Sequence, residues 1–409
     1  MTEDKKIKKK IFESSSLSAI FMNLSFIIGI FTTYLIVRLI SPGEWAKILL
    51  AVSILNFSVF LCNFIPPGAN STLIYYIPQL LAENEKNEEE LLNFVYYNYK
   101  NRLFFTVIIY ILFFIIISMF NLEIQLFQVI IIISPLIFFN NFQNLNSSVL
   151  LAFQKFKRLF LINMLNVLVF AIFLFMIFIF QLEIPLILIT FLNLLIGFST
   201  FLMSFLSILP LINIKKIKNQ KLNIKDYKQK FKDLNKKYGV KVIVFGIISQ
   251  LGGLILNFLF LNSGLIIYIT YIAICERFIS FVLNTSSSKQ SVSIFSELFA
   301  KSKSDFKLYF INFLKYSLLL SGVLVGLFFF FIEFFFELIF TETYFVIIFA
   351  TQIYLLIIFP RIVLRCLDII TFSTNNIIIS IQMTIMQVII HITCTIIAIL
   401  FFNFECHCF

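Results

Sequence analysis

Charge is what this sequence has least of. Only 13% of its 409 residues are Asp, Glu, Lys or Arg, about half the share that soluble domains carry, which excludes an ordinary water-soluble domain. Short segments of alternating apolar and polar residues are missing too, so a membrane β-barrel is not indicated. Cysteine supplies no framework. Cys62, Cys275, Cys366 and Cys394 sit inside apolar runs as small hydrophobes, and Cys406 and Cys408 flank His407 too closely for the three to wrap one metal ion. There is no glycine-rich phosphate loop, no His/Cys set at metal-ligand spacing and no nucleophile beside a partnered base. Enzyme chemistry, a cofactor and a metal are therefore not expected, and energy from ATP would need another chain. No small-residue cleavage site follows MTEDKKIKKK, so the first apolar run is expected to be a retained helix.

What the chain does have is hydrocarbon. Sixty per cent of its residues are hydrophobic and its mean hydropathy is +0.99. Crossing a bilayer takes roughly 20 residues of helix, and a spanning segment must satisfy its own backbone. Eleven runs meet that need, at about 17–40, 45–66, 103–120, 126–151, 159–180, 184–212, 242–262, 264–283, 311–332, 344–367 and 377–402. The second is interrupted by Pro66-Pro67-Gly68. The expected fold class is an all-α polytopic membrane protein.

The most polar long segment, Ile214–Lys241, divides the runs six and five. It holds eleven lysines against two aspartates, a net +9 within a chain of formal charge +11. In a soluble protein such charge would suggest nucleic acid. Here it marks the cytoplasmic face, because basic loops stay inside. With the N-terminus inside, 29 of the 32 Lys and Arg residues fall on inner segments, which predicts a multi-pass cell-membrane protein with a cytoplasmic N-terminus. Three units follow: an N-terminal six-helix bundle (1–213), a basic linker (214–241) and a C-terminal bundle of five spans (242–409). Tight hairpins followed by long charged loops, 79–102 and 286–307, recur in both bundles, as a duplicated unit would show. Within the linker, Ile224, Tyr227, Phe231, Leu234 and Tyr238 recur at helical spacing. They predict a basic amphipathic helix on the inner surface, attracting anionic lipid heads. A solvated linker is the plainer alternative.

Polar groups inside the spans are costly and tend to face a cavity or each other. Arg361, Arg365 and Asp368 follow at i, i+4 and i+7 near an inner end. They read as a cationic rail for an anionic head group, with Asp368 orienting Arg365, or as side chains snorkelling to the interface. Glu276 and Arg277 lie deeper and point about 100° apart, so each needs a partner elsewhere, either a substrate or an interhelical ion pair. Gln250 and Asn257 share a face with Gly246 and Gly253; Asn140 and Asn144 share one with Ser147. These amides could bind sugar hydroxyls or pack helix against helix.

Several stretches resemble one family. YLIVRLISPGEW (Tyr34–Trp45) looks like the junction between the first two helices of the Wzx-type polysaccharide flippases of the multidrug/oligosaccharidyl-lipid/polysaccharide (MOP) exporter superfamily. Tyr238–Gly253 is similar to the approach to their seventh helix, YITYIA (Tyr268–Ala273) to the start of the eighth, and SIFSELFA (Ser293–Ala300) to the loop that follows. The resemblance implies two bundles around a central cavity, alternating access, and a lipid-linked oligosaccharide (polyprenyl-pyrophosphate) as substrate, moved from the cytoplasmic to the outer leaflet. Arg38 matches by position. Arg277, Arg361 and Arg365 are candidates from charge and depth. Ala46-Lys47 replaces the glycine of the family's first turn, and the family's twelfth helix has no counterpart, so the chain is expected to be cut short. Two alternatives stand beside the flippase: a cation-coupled multidrug or small-molecule exporter of the same superfamily, whose coupling ion the sequence does not name, and a membrane glycan polymerase or ligase. The latter would require a large outer loop, and the longest outer connection is only about Glu333–Tyr344.

Overall fold

The computed structural model describes residues 20, 23–83, 88–119, 122–180, 186–212, 224–262, 267–286, 291–340 and 342–406. Among these the regular structure is helical throughout, with no strand. Helices occupy all eleven predicted runs. In chain order they are α1 (Asn23–Leu39), α2 (Pro42–Leu61), α3 (Ala69–Glu83), α4 (Glu88–Met119), α5 (Ile124–Ile133), α6 (Leu136–Ala152), α7 (Phe156–Ile179) and α8 (Leu186–Ile212). After the linker come α9 (Ile224–Leu234), α10 (Val240–Asn262), α11 (Ile267–Ser286), α12 (Ser291–Lys301), α13 (Lys303–Ile339), α14 (Ile348–Leu356), α15 (Ile358–Ser373) and α16 (Ile378–Cys406). Among the described residues seven helices are long and apolar enough to cross a membrane, and the bent pair α5–α6 makes an eighth. Of the other predicted runs, the first forms the shorter α1 and the tenth is interrupted between α14 and α15. The outside of the bundle carries large exposed apolar side chains such as Phe104, Phe330 and Phe349, the inverse of a soluble surface.

Residues 42–152 and 267–373 share one order of elements. In each, a helix of 20 residues leads to a short one (α3; α12), then to a helix of 32 or 37 (α4; α13), then to a helix broken in two (α5–α6; α14–α15). The first break lies at Ser134-Pro135, with a bend of 42°. Proline there removes a donor and crowds the preceding turn. The second break lies at Ile357, ahead of Pro360. The short helices α3 and α12 pack on each other across the two halves. They carry Leu80 and Ala82 in one and Leu298 and Ala300 in the other, the matching positions of two weakly alike stretches of sequence.

Several boundaries differ from the hydropathy reading. The third predicted run, α4, begins at Glu88 rather than near 103, because its first turns are polar yet packed on protein. The connection read at Glu333–Tyr344 is helical as far as Ile339. The linker also differs in what covers it. Phe231 is fully buried between Phe94 and Tyr97 of α4, with ring centroids 4.9 and 5.9 Å apart. Lys230 pairs with Glu90 at 2.5 Å. Leu234 joins the same cluster, so this part of the apolar face is used on protein rather than left for lipid. The side chains of Ile224 and Tyr227, and residues 213–223, lie outside the described residues, as do the side chain of His391 and residues 407–409.

One hydrophobic core runs from α1, α2 and α5 through α11, α13 and α15, and so joins both halves. A second, at the end of the molecule that carries the linker, is built by α3, α4, α6 and Phe231.

Candidate functional site: a cavity between the halves

A cavity of about 550 Å³ opens between α1 and α7 of the first half and α11 of the second, closed at one side by Ile339 and Phe340. Its walls are mostly apolar, with Phe26, Phe170 and Phe281 among them. The polar groups come from two helices. Gly29, Thr32 and Thr33 lie on α1, and α11 presents Glu276, Ser280 and Asn284 one turn apart, with Arg277 beside them.

Three of these groups on α11 are tied to other helices. Glu276 accepts two hydrogen bonds from Arg361 of α15, at 2.9 and 3.1 Å. Asn284 accepts from Nη2 of Arg365, one turn further along α15, whose buried Nε has no hydrogen-bond partner among the described residues. Arg277 crosses to the other half. Its Nη1 donates to Thr33 Oγ1 and to the Gly29 carbonyl (3.3 Å), and its guanidinium lies 5.4 Å from the ring centroid of Trp45 on α2. Beside the cavity α11 and α15 thus carry three guanidiniums, of which Arg361 alone meets Glu276, against the carboxylates of Glu276 and Asp368. The net charge beside the cavity is positive, and in apolar surroundings it is weakly screened.

The linker end of the molecule is shut. Gly68 turns with φ of +55°, and a Cβ there would stand 2.6 Å from the Gly239 Cα. A Cβ on Gly239 would meet the Pro67 carbonyl at 1.8 Å, so the two backbones touch and neither position has room for a side chain. Tyr75 stacks on Tyr238 with centroids 4.4 Å apart, and Tyr238 donates to the Phe372 carbonyl at 2.9 Å. Gln154 donates to Glu297 at 2.7 Å. A smaller cavity of about 300 Å³ sits just inside this seal, lined by Asn63, Asn70, Ser71, Tyr238 and Asp368. The opposite end also has ties between the halves: Thr270 donates to the Pro42 carbonyl (3.0 Å), and Ala46 packs with Phe260 and Ile269.

Of the residues singled out from sequence, Glu276 and Arg277 line the larger cavity, and Arg361 and Arg365 back its wall. Asp368 lines the smaller one instead. Arg38 lies at the far end, stacked on Tyr34 at 3.7 Å, and donates at 3.0 Å to Ile339 O, a carbonyl that ends α13. A cation is favourable there because helix C-termini carry partial negative charge. Asn257 donates to Ser53 of α2 at 3.0 Å, a packing contact, and Gln250 is exposed. Asn144 is exposed and Asn140 faces α8 near Gly197. The buried amides of α6 are their neighbours. Asn141 holds Arg102, and Asn146 joins Tyr99 to Ser204.

Arg102 is the buried cation that sequence reading missed. It is fully buried, donating from Nε to Asn141 at 2.7 Å and from Nη2 to Asn63 at 2.5 Å. Its place just before an apolar run made it look like a loop residue. The amides at Asn63 and Asn141 were the available signal. Thr33, Trp45 and Asn284 were likewise unmarked, since their role shows only across helices.

No family model and no curated protein matches this chain. Its fold matches those of solved transporters. A MOP superfamily transporter from Pyrococcus furiosus, described by a binding pocket of reverse polarity that suggests a different function, superposes with a TM-score of 0.73 at 15% identity, covering 95% of this chain and 88% of that one. A multidrug resistance MATE family transporter of the MOP superfamily in an outward-facing conformation gives 0.69 at 13% identity, over 92% and 85% of the chains. One in an inward-facing conformation gives 0.60 at 14%, over 91% and 84%. The fold is that of these two-lobed helical transporters.

Proposed function

We propose that this chain is an alternating-access membrane transporter that exports small amphipathic molecules with an anionic head. The carrying observation is the 550 Å³ cavity between the halves, apolar on most sides and edged by Arg277 with Arg361 and Arg365 behind. Its size suits a drug-sized ligand. Its apolar walls suit a hydrocarbon body, and guanidinium groups suit a carboxylate or phosphate. The solved transporters of this fold support export over enzyme chemistry, and those described as multidrug transporters favour small molecules over the lipid-linked oligosaccharide expected from sequence. An exporter of cationic drugs would want an acidic wall, whereas Glu276 is already paired with Arg361. In this reading the linker end faces the cytoplasm, as the lysine distribution asks.

Lipid-linked oligosaccharide flipping remains a second reading, favoured by the same three arginines. Both are tested in proteoliposomes loaded with a fluorescent decyl phosphate, a fluorescent alkylammonium or a labelled lipid-linked oligosaccharide, under a proton or sodium gradient. Protein-dependent movement of the phosphate, lost in Arg277→Gln with folding retained, is the expected result. Movement of the alkylammonium alone overturns the anionic reading, and movement of the oligosaccharide alone selects the flippase.

A further inference from the structure

Arg277 is the polar group that ties α11 to the other half through the cavity wall. Among the described residues no carboxylate reaches it: its hydrogen bonds go to a neutral hydroxyl, Thr33 Oγ1, and a neutral carbonyl, Gly29 O. Thr33 is buried, and its own hydroxyl hydrogen goes to Gly29 O at 2.7 Å, so a lone pair faces the arginine. The third neighbour is the ring of Trp45, buried and the chain's single tryptophan. Neutral acceptors are weaker partners for a guanidinium than an anionic oxygen, which makes shorter bonds of roughly twice the strength. The adjacent Glu276 does not supply that anion, because Arg361 holds it.

We infer that Arg277 is an exchangeable clasp, trading its hold on Thr33 and Gly29 for the anionic oxygen of a substrate, with Thr33 and Trp45 as the positioning residues that set anion affinity. The inference rests on the cavity being an anion-accepting transport site. Binding then does two things at once. It neutralises the guanidinium, and it unfastens α1 from α11, so that occupancy loosens the two halves where they meet. A ligand without an anionic head would leave the clasp fastened and would compete poorly.

Trp45 makes the exchange visible, because the cation beside its ring moves when the clasp opens. The full chain in dodecyl maltoside is titrated with decyl phosphate, decanol or decyltrimethylammonium while Trp45 emission is followed. Decyl phosphate is expected to shift the emission saturably, and decanol to do so weakly. Thr33→Val removes the competing acceptor at similar size, so decyl phosphate should bind about tenfold more tightly, and Thr33→Ser should restore the original affinity. Arg277→Gln should abolish the response. Equal or weaker phosphate binding by Thr33→Val, with the original chain binding normally, overturns the exchange and leaves the anionic transport site standing. If Thr33→Val does not fold, Thr33→Ala in the same titration decides on the same terms. A response of the original chain to decyltrimethylammonium and none to decyl phosphate overturns the anionic site itself, and the clasp with it.

Discussion

At the level of single residues, the buried arginines divide by what answers them. Arg361 meets a carboxylate, Arg277 and Arg365 meet neutral oxygens at a cavity, and Arg102 meets two amides deep in the first half. Arg102→Met removes a buried charge but orphans Asn63 and Asn141. A loss of about 1–3 kcal/mol is expected, the usual cost of buried polar groups without partners. Replacing both amides by leucine as well should recover most of it, as apolar replacements of buried ionic groups commonly do. Thermal unfolding in detergent checks both steps, and no recovery in the triple variant would assign the arginine a different role. Residues such as Glu276 and Arg277 were legible because charge deep in an apolar run is conspicuous. Their partners were not, since Arg361 is 85 residues from Glu276 and Thr33 is 244 from Arg277. The Asn140–Asn144 stripe stayed open between cavity and packing for a related reason. Helical spacing names a face, but it does not say whether that face meets cavity, lipid or another helix.

At the level of elements, some local chemistry is read directly. Ser41-Pro42-Gly43-Glu44 forms a capping box that starts α2, with Ser41 Oγ accepting from the Glu44 amide and Glu44 accepting from the Ser41 amide at 2.9 Å. The stretch that carried the family resemblance therefore also has a plain folding task. The periodicity of α9 was equally plain in sequence, but the identity of its partner was not, because an apolar stripe fits lipid and protein alike. The structure seats Phe231 in the first half's core. Phe231→Ala should cost about 3–5 kcal/mol and free the linker, raising tryptic cleavage at Lys230, Lys232, Lys236 and Lys237. Unchanged cleavage would mean the helix is held by its charges, through Lys230 and Glu90.

At the level of the whole molecule, the shut linker end rests on two glycines that touch. Gly239→Leu cannot be accommodated against the Pro67 carbonyl, so the seal should part and the smaller cavity should open. A reporter cysteine at Ser71, with Cys406 and Cys408 changed to serine, should then react with a water-soluble maleimide at least several-fold faster. An unchanged rate would show that the seal is carried by α3 and α12 alone. The two halves and their matching order were legible from loop lengths, whereas the seal was not, since Gly68 and Gly239 look ordinary until their backbones are brought together. The broken helices add a mechanical consequence. Ten residues of α5 and nine of α14 measure about 15 and 14 Å at 1.5 Å per residue, half the roughly 30 Å of a hydrocarbon core. Each half of the molecule therefore has a joint within a helix pair, with a short rod on one side of it. Such a joint lets the two segments of each pair tilt separately, so the lateral pressure and chain length of the surrounding lipid are expected to bias lobe motion in their own right.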